Sequence, residues 1–327
     1  MSPRRPANGK EPPRNIIVRD KEHGLPYSKG LTANTIIASG LSPVRSFQVA
    51  QVIEDRLRER NTHSVSVNEL RKITIEAIRE EAGDRYAEAY QKWMTVGNLD
   101  IPLIILLGGA TGVGKSTIAT QLAARLSIPR VISTDAIREV MKGTFSKEFM
   151  PTLYTSSFAA ADVVKQKSSR ADDAVMVGFR DQVAAVSVGV NALIERAVTE
   201  GTDIIIEGAH LVPGFIHPEA VAKKSVIVQA IIQVEEEDLH RSHFYVRASD
   251  SRARPVQRYL THFANIRKIQ KYIKSLALQH GVPVISNYNL DACLRSVIDL
   301  VIDHGVEAAK ARPKSRKVRT IREGARL

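Results

Sequence analysis

The sequence lacks the features of secreted, membrane-spanning and repeat proteins. Cys293 is its only cysteine, so no intrachain disulfide can form, which is typical of proteins in a reducing compartment. Its longest apolar runs, 101–107 and 226–232, are strand-sized and too short to cross a bilayer. No apolar stretch of signal-peptide type begins the chain, and no repeat of solenoid period is present. We therefore expect a cytoplasmic protein with no membrane partner.

Acidic residues are scarce at the two ends of the chain, which hold most of its net charge of +12. Residues 1–14 contain four basic residues and one acidic residue, and residues 310–327 contain eight basic residues and one acidic residue. The part between them is close to neutral. Such basic ends are typical of disordered tails. They also allow a weak, salt-sensitive attraction to nucleic acid or another acidic surface.

The most informative motif is G-x-x-x-x-G-K-S, from Gly109 to Ser116, which follows an apolar strand pattern at 103–107. Glycines let backbone N–H groups surround phosphate oxygens, and a helix start adds the positive end of its dipole. We expect Lys115 to act catalytically on the β- and γ-phosphates of ATP, and Ser116 to ligate Mg²⁺. The residues predicted to bind ATP are Gly109, Ala110, Thr111, Gly112, Val113, Gly114, Lys115, Ser116 and Thr117.

Beyond residue 98 the predicted strands alternate with helices, which is typical of a parallel α/β sheet. The predicted strands are 103–107, 130–133, 203–207, 226–234 and 282–286. Such sheets bind ligands at the carboxyl ends of their strands, so the residues that follow each strand are the candidates for chemistry. A long, mostly helical insert is predicted at 135–200.

Asp135 and Arg138 follow the second predicted strand. A carboxylate at this place can accept the proton of an acceptor hydroxyl and orient it for in-line attack. Arg138, one helical turn later, can hold an anionic substrate through a fork of hydrogen bonds. We predict a catalytic and substrate-binding role for Asp135 and substrate binding for Arg138. The alternative is that Thr134 or Asp135 only caps the helix that starts here.

Glu207, Gly208 and His210 follow the third predicted strand. P-loop enzymes keep at this place the acidic residue that positions Mg²⁺ through water, and the usual residue is aspartate. Glu207 is therefore predicted to contact the metal or the substrate. Gly208 allows a close approach of the backbone. His210 is predicted as a substrate-binding residue, and a structural role is an equal alternative.

A densely basic segment interleaved with tyrosines follows the fourth predicted strand. Phosphoryl transfer needs cations that neutralise charge on the transferring group, and a segment that closes over ATP supplies them. A solvated basic helix and an RNA-binding surface are alternatives, although no RNA-recognition motif accompanies the segment. His240 and His243 lack the nearby cysteines of a zinc site. The predicted catalytic residues here are Arg241 and Arg247, and the predicted substrate-binding residues are Arg252 and Arg258.

Within the helical insert, segment 178–182 is predicted to separate two apolar helices. Arg180 lies in this segment and faces either the acceptor pocket or solvent. We include it among the predicted substrate-binding residues.

Residues 15–97 form a separate pattern ahead of the P-loop. A strand is predicted at 15–19, and amphipathic helices follow it, one of them with Asn68 as its N-cap. The order of elements, Tyr27-Ser28-Lys29 and the closing Tyr86-x-x-x-Tyr90 resemble the ATP-cone, a regulatory nucleotide-binding domain. The resemblance implies a small α+β domain that binds a nucleotide effector. An accessory α+β domain of another purpose is the alternative.

Four segments of the P-loop region together resemble the 2-phosphoglycerate kinases, enzymes that make 2,3-bisphosphoglycerate from ATP and 2-phosphoglycerate. The segments are 108–117, 133–138, 206–214 and 241–247, and the later segments 258–259 and 281–284 also fit. The E-G-x-H-L-V-P-G and arginine-rich segments are more specific than the P-loop alone. The resemblance implies an α/β P-loop kinase domain at 98–309, preceded by an ATP-cone-like domain at 15–97. It also implies ATP and Mg²⁺ as cofactors and a small phosphorylated carboxylic acid as substrate.

Two alternatives to this function remain at the level of the sequence. Polynucleotide kinases and zeta-type toxins share the D-x-x-R pattern after the second strand, so the acceptor is alternatively a nucleic-acid end, a nucleotide-sugar or another phosphorylated metabolite. The other alternative is a non-catalytic ATP-sensing protein. The intact Lys115 and Ser116, together with Asp135, favour a working kinase.

Overall fold

A computed structural model describes residues 16–20, 23–60, 63–97, 99–164, 171–249 and 256–312. These residues form two compact units, and the boundary between the units follows Gly97. Each unit buries an apolar core of its own. The predicted basic tails lie outside the described residues, except for residues 310–312.

The N-terminal unit is a small α+β fold, as the sequence predicts. Its elements are β1 Ile17–Asp20, β2 His23–Pro26, α1 Lys29–Ile37, α2 Pro43–Glu59, β3 Ser64–Ser66, α3 Val67–Ala82 and α4 Asp84–Gly97. β1 lies between the other two strands, antiparallel to β2 and parallel to β3. Helix α3 packs on β1 and β3, and α2 packs against α1 and α3. Val49, Ile53 and Ile73 belong to the core that these elements share.

The N-cap prediction for Asn68 is wrong, because helix α3 begins earlier. Ser66 is the N-cap residue, and its Oγ accepts a hydrogen bond from the backbone N–H of Glu69 at 3.1 Å. Asn68 is exposed in the first turn. Ser66 ends β3 with an extended backbone, which is the conformation that a capping residue requires.

The P-loop unit contains a five-stranded sheet with the strand order β5-β6-β4-β7-β8, and all its strands are parallel. The strands are β4 Leu103–Gly108, β5 Val131–Ser133, β6 Ile204–Gly208, β7 Val226–Gln233 and β8 Val284–Ser286. Every residue of β4 is buried, as expected for a strand covered on both faces. The predicted parallel sheet flanked by helices is confirmed.

Seven helices belong to the described part of this unit. They are α5 Lys115–Leu126, α6 Thr134–Lys142, α7 Ala171–Glu200, α8 Glu237–Ser249, α9 Val256–Thr261, α10 Phe263–Gln279 and α11 Leu290–Lys310. Short 3-10 turns at Pro151–Tyr154 and Ser157–Val163 lie between α6 and α7. Along the described ranges, no helix combines the length and apolar character needed to cross a membrane.

The predicted break at 178–182 is wrong, because α7 continues through this segment. Gly178 is unfavourable in an isolated helix, but tertiary packing requires it here. A Cβ at this position would lie 2.6 Å from the backbone carbon of Ala160 and 2.7 Å from its oxygen. The glycine therefore lets the 3-10 turn at Ser157–Val163 pack directly against α7.

Candidate active site

The P-loop connects the carboxyl end of β4 to the first turn of α5. Gly112 adopts a φ of 88°, in the left-handed region that glycine enters without strain. A Cβ at Gly112 would also overlap the ring of Phe244 from α8. Gly112, which occupies a variable position of the G-x-x-x-x-G-K-S motif, is thus required in this chain both by the loop's own turn and by the helix packed behind it.

Lys115 and Ser116, the first residues of α5, connect the P-loop to its surroundings. The Lys115 side chain is buried, and its Nζ donates a hydrogen bond to the carbonyl oxygen of Ala110 at 2.8 Å. The Ser116 hydroxyl donates to Oε1 of Glu207 at 2.9 Å. Because Leu107 pairs with Glu207 in the sheet, the carboxylate stands at the end of the strand next to the P-loop strand.

The Ser116–Glu207 pair suits a magnesium ion. Both side chains offer oxygen, the donor that Mg²⁺ prefers, and Mg²⁺ in kinases needs only one or two protein ligands beside substrate phosphates and water. Glu207 is buried, with 7% of its surface exposed, and a carboxylate at this depth requires a partner. Among the residues that the structure describes, no group of three or more histidine, cysteine, aspartate and glutamate side chains could hold a metal.

Asp135 lies in the first turn of α6 and does not cap this helix. Ser133 is the N-cap residue, and its Oγ accepts a hydrogen bond from the backbone N–H of Ala136 at 3.1 Å. Thr134 is committed elsewhere, because its buried Oγ1 lies 2.7 Å from Nδ1 of His210. The side chain of Asp135 is 74% exposed. The capping alternative is therefore excluded, and the carboxylate is open to a ligand.

Neighbouring cations keep the Asp135 carboxylate ionised. Partial desolvation raises the pKa of this carboxyl, but nearby positive charge lowers it by more, so the pKa lies below its ordinary value. The lowering comes from His210, in the protonated form that it takes only near pH 4, and from Arg138 and Lys115, which are charged at neutral pH. At neutral pH Asp135 is thus a hydrogen-bond acceptor.

Arg138 is held by its own surroundings. Its Nε donates to Asp135 at 3.3 Å, Nη1 donates to the carbonyl oxygen of Leu153 at 2.6 Å, and Nη2 donates to Glu139 at 2.7 Å. These bonds place the guanidinium between α6 and the 3-10 turn at Pro151–Tyr154. Arg180, on α7, is exposed.

His210 lies beneath the site rather than in it. Its side chain is 1% exposed, and Nε2 lies 3.0 Å from Oε1 of Gln182. The Gln182 amide nitrogen donates to the carbonyl oxygens of Thr152 and Thr155, so its oxygen must accept the Nε2 proton of the histidine. Nδ1 then accepts the hydrogen bond from Thr134. Burial lowers the pKa of His210 to about 4, so the ring is neutral and has no free nitrogen for a substrate.

Of the four arginines predicted to act after the fourth strand, the structure describes the side chains of two. The guanidinium of Arg241 stacks on the ring of Phe263, 3.9 Å from its centroid. Arg258 donates from Nη2 to Oγ of Ser156 at 3.0 Å. Arg247 belongs to α8, but its side chain lies outside the described part, as does all of Arg252.

Three residues that contact the P-loop were not predicted to do so. His240 and His243 of α8 reach the carbonyl oxygens of Thr111 and Gly112, at 2.8 Å and 2.9 Å. Asn287, directly after β8, donates from Nδ2 to the carbonyl oxygen of Val113 at 3.0 Å. The only signal in the sequence is the placement of both segments directly after a sheet strand, where ligands bind in this fold.

The fold and this site define a class of protein. A parallel sheet whose first strand runs into the P-loop, with an acidic residue on the adjacent strand, is the arrangement that P-loop kinases use to bind a nucleotide. We assign the chain to these phosphotransferases.

Comparison with known proteins identifies the family. A 2-phosphoglycerate kinase from Methanothermobacter thermautotrophicus is 40% identical over 298 residues, which are 90% of this chain and 97% of that protein. Those from Pyrococcus horikoshii and Methanopyrus kandleri are 37% and 36% identical, over 91% and 88% of this chain and 96% and 87% of their own lengths. The chain belongs to the 2-phosphoglycerate kinase family, and the resemblance found in the motifs is confirmed.

No family model matches the chain. Among solved structures, a shikimate kinase from Acinetobacter baumannii in complex with shikimate aligns with a TM-score of 0.36 and 15% identity, over 64% of this chain and 97% of that one.

Proposed function

We propose that this chain transfers the γ-phosphoryl group of ATP to the hydroxyl of 2-phosphoglycerate, giving 2,3-bisphosphoglycerate and ADP. The choice of acceptor is supported by one observation above all: relatives with this name match about nine-tenths of the chain, across both units. The site geometry supports the reaction class, because a nucleotide-binding loop and an open carboxylate follow two strands of one sheet.

The P-loop residues would bind the phosphates of ATP through backbone N–H groups. In the structure the Nζ of Lys115 donates a hydrogen bond to the carbonyl oxygen of Ala110 in the same loop. When ATP binds, Nζ would donate to oxygens of the β- and γ-phosphates instead. Ser116 and Glu207 would hold Mg²⁺. When bound, the ion neutralises charge on the phosphates during transfer.

Asp135 would orient the acceptor hydroxyl and accept its proton. Its lowered pKa keeps it ionised at neutral pH, which the role of acceptor requires. It also makes the carboxylate a weak base, so we assign orientation of the nucleophile as its main contribution. Phosphoryl transfer tolerates this, because bond making to the nucleophile is limited in a loose transition state.

Arginine side chains would hold the acceptor and the transferring group. The acceptor carries a carboxylate and a phosphate, and guanidinium groups bind both through paired hydrogen bonds. We propose Arg138, Arg180, Arg252 and Arg258 for the acceptor and Arg241 and Arg247 for the transferring phosphoryl group. His210 would act from below, by fixing Thr134 next to Asp135.

The proposal is tested by transfer from radiolabelled ATP to a panel of acceptors. We expect full-length protein to phosphorylate 2-phosphoglycerate in preference to 3-phosphoglycerate, an inositol phosphate and RNA with a 5′-hydroxyl end. Lys115→Ala should remove the activity while leaving the protein folded, since loss of such a contact costs on the order of 3 kcal/mol of transition-state stabilisation. Transfer to RNA with none to 2-phosphoglycerate would replace this function with that of a polynucleotide kinase.

We further propose that the N-terminal unit binds a nucleotide effector. The resemblance of residues 15–97 to an ATP-cone supports this role. Its separate core, built on α2 and α3, is consistent with a domain that acts on the kinase rather than one that completes its fold.

A further inference from the structure

The carbonyl oxygens of the P-loop are bonded in succession by side-chain donors. Lys115 Nζ bonds the oxygen of residue 110, and His240 Nε2 bonds that of residue 111. His243 Nδ1 bonds the oxygen of residue 112, and Asn287 Nδ2 bonds that of residue 113. Four consecutive carbonyl oxygens are thereby bonded. Those of residues 111–113 are held by α8 and by the residue after β8, whereas Lys115 would leave the oxygen of residue 110 to bind the phosphates.

The orientation of these peptides decides whether the loop can bind an anion. A peptide unit is planar, so its N–H and C=O point in opposite directions. A donor that holds the carbonyl on one side turns the N–H to the other, where the phosphates of a nucleotide lie. Without the donor, a glycine-rich loop can rotate a peptide and present an oxygen to the phosphates, which repels them.

The two histidines must donate different ring nitrogens. A carbonyl oxygen only accepts, so His240 carries its proton on Nε2 and His243 carries one on Nδ1. The proton position on His240 is supported by its other ring nitrogen. Nη1 of Arg267, which can only donate, lies 3.4 Å from Nδ1, so Nδ1 is the acceptor. His240 is fully buried, so its two ring nitrogens depend on these protein partners for their hydrogen bonds.

Helix α8 is anchored to the P-loop through one face. His240, His243 and Phe244 are spaced three and four residues apart, which places them together on a helix. The ring of Phe244 fills the space that Gly112 leaves free. Arg241 turns instead to the ring of Phe263 on α10. The first two turns of α8 are therefore a fixed support of the loop.

We propose that His240, His243 and Asn287 are positioning residues that hold the P-loop in its phosphate-binding conformation before the nucleotide arrives. Such preorganisation lowers the conformational cost of binding. The proposal rests on nucleotide binding by the P-loop and not on the identity of the acceptor. Its expected signature is a loss of nucleotide affinity with an unchanged KM for 2-phosphoglycerate.

His240 donates from Nε2 and His243 donates from Nδ1, and this difference allows a test with matched variants. Glutamine places its amide nitrogen near the position of histidine Nε2, and asparagine places it near that of Nδ1. The double variant His240→Gln/His243→Asn therefore keeps both donors. His240→Asn/His243→Gln has the same composition and loses both. Ser242→Ala, on the exposed face of α8, is the control for substitution in this helix.

We expect the first double variant to bind MgADP, measured by calorimetry, within about threefold of the unchanged protein. The second should bind about tenfold more weakly or worse, since one net hydrogen bond corresponds to roughly a factor of ten. Equal affinity of the two folded variants would overturn the proposal, as would an equal rise in KM for both substrates. MgADP binding without transfer to 2-phosphoglycerate contradicts the proposed acceptor only.

A second comparison covers the case in which substitution of the buried His240 unfolds both double variants. His243 is only partly buried, so the single variants His243→Asn and His243→Gln are compared by the same titration, with circular dichroism as the check on folding. Asn287→Leu, which keeps the size of the side chain and removes its donor, should weaken MgADP binding as His243→Gln does. Unchanged affinity in both folded variants contradicts the proposal.

Discussion

At the scale of single residues, two buried histidines link the stability of the fold to pH. Burial lowers the pKa of His210 and of His240 to about 4, against about 6.5 for a histidine in an unfolded chain. Between these values the unfolded chain binds more protons than the folded one, so the free energy of unfolding falls as pH falls. Each histidine accounts for on the order of 3 kcal/mol across this window.

This prediction is checked by urea unfolding of the full chain at several pH values from 7 to 4.5. Above about pH 7 we expect protonation of these two histidines to have no effect on the free energy of unfolding. Below about pH 6.5 this free energy should decrease steadily. His210→Gln should reduce the dependence on pH, because one of the two titrating groups is gone. His304→Gln, at an exposed position of α11, should leave it unchanged. An identical dependence in the His210 variant contradicts the prediction.

Asp135→Asn tests the role of the open carboxylate. Ser133 caps α6, so the substitution leaves the helix start intact and removes the negative charge that faces the ligand and Arg138. We expect kcat to fall by about 100-fold, the low end of the range for a general base, because the carboxylate acts mainly by orienting the hydroxyl, while KM for ATP changes little. Glu148→Gln removes a carboxylate from an exposed position and should have no such effect. Turnover within about threefold of the unchanged enzyme contradicts the proposed role, because this loss is far smaller than the roughly 100-fold minimum for a general base.

Glu207→Gln tests the proposed magnesium site. The amide keeps the size of the side chain and an oxygen toward Ser116, but it loses the charge that attracts a divalent ion. We expect the Mg²⁺ concentration for half-maximal activity to rise several-fold at saturating ATP. A titration of activity against free Mg²⁺ measures this, and an unchanged midpoint would assign Glu207 to structure alone.

At the scale of elements, the strands were predictable and several connections were not. Parallel strands buried on both faces are rich in apolar residues, so β4 and residues 204–206 of β6 stand out in the sequence. The continuity of α7 through Gly178 depends on a backbone that approaches from Ala160, and no local pattern records that approach. The same holds in the site, where Asn287 meets Val113 across 174 residues.

Gly178→Ala measures this packing. Helix propensity alone predicts a gain of about 1 kcal/mol, but the added Cβ would meet backbone atoms of Ala160 at 2.6–2.7 Å. Backbone cannot yield as a side chain does, so we expect a lower melting temperature. Val188→Ala, at an exposed position of the same helix, raises propensity without this contact and should not destabilise. A stabilised Gly178→Ala protein would show that helix propensity decides at this position.

At the scale of the whole molecule, two separate cores predict that the units fold independently. The N-terminal core involves α2 and α3, and the second core lies between the sheet and α7. Residue 97 ends the last helix of the first unit, so a chain that starts at residue 98 cuts no described element. Its P-loop, Glu207 and Asp135 are all retained.

We expect the protein without residues 1–97 to fold, to bind MgADP and to phosphorylate 2-phosphoglycerate, because the sheet and the site belong to one unit. Any response of the rate to added nucleotides beyond their competition with MgATP at the P-loop should disappear, since the proposed effector site has been removed. Circular dichroism, melting curves and initial rates over a series of nucleotides measure these properties in both forms. Identical nucleotide responses contradict the ATP-cone role of residues 15–97. An insoluble truncated protein would instead show that the kinase unit depends on the N-terminal unit to fold.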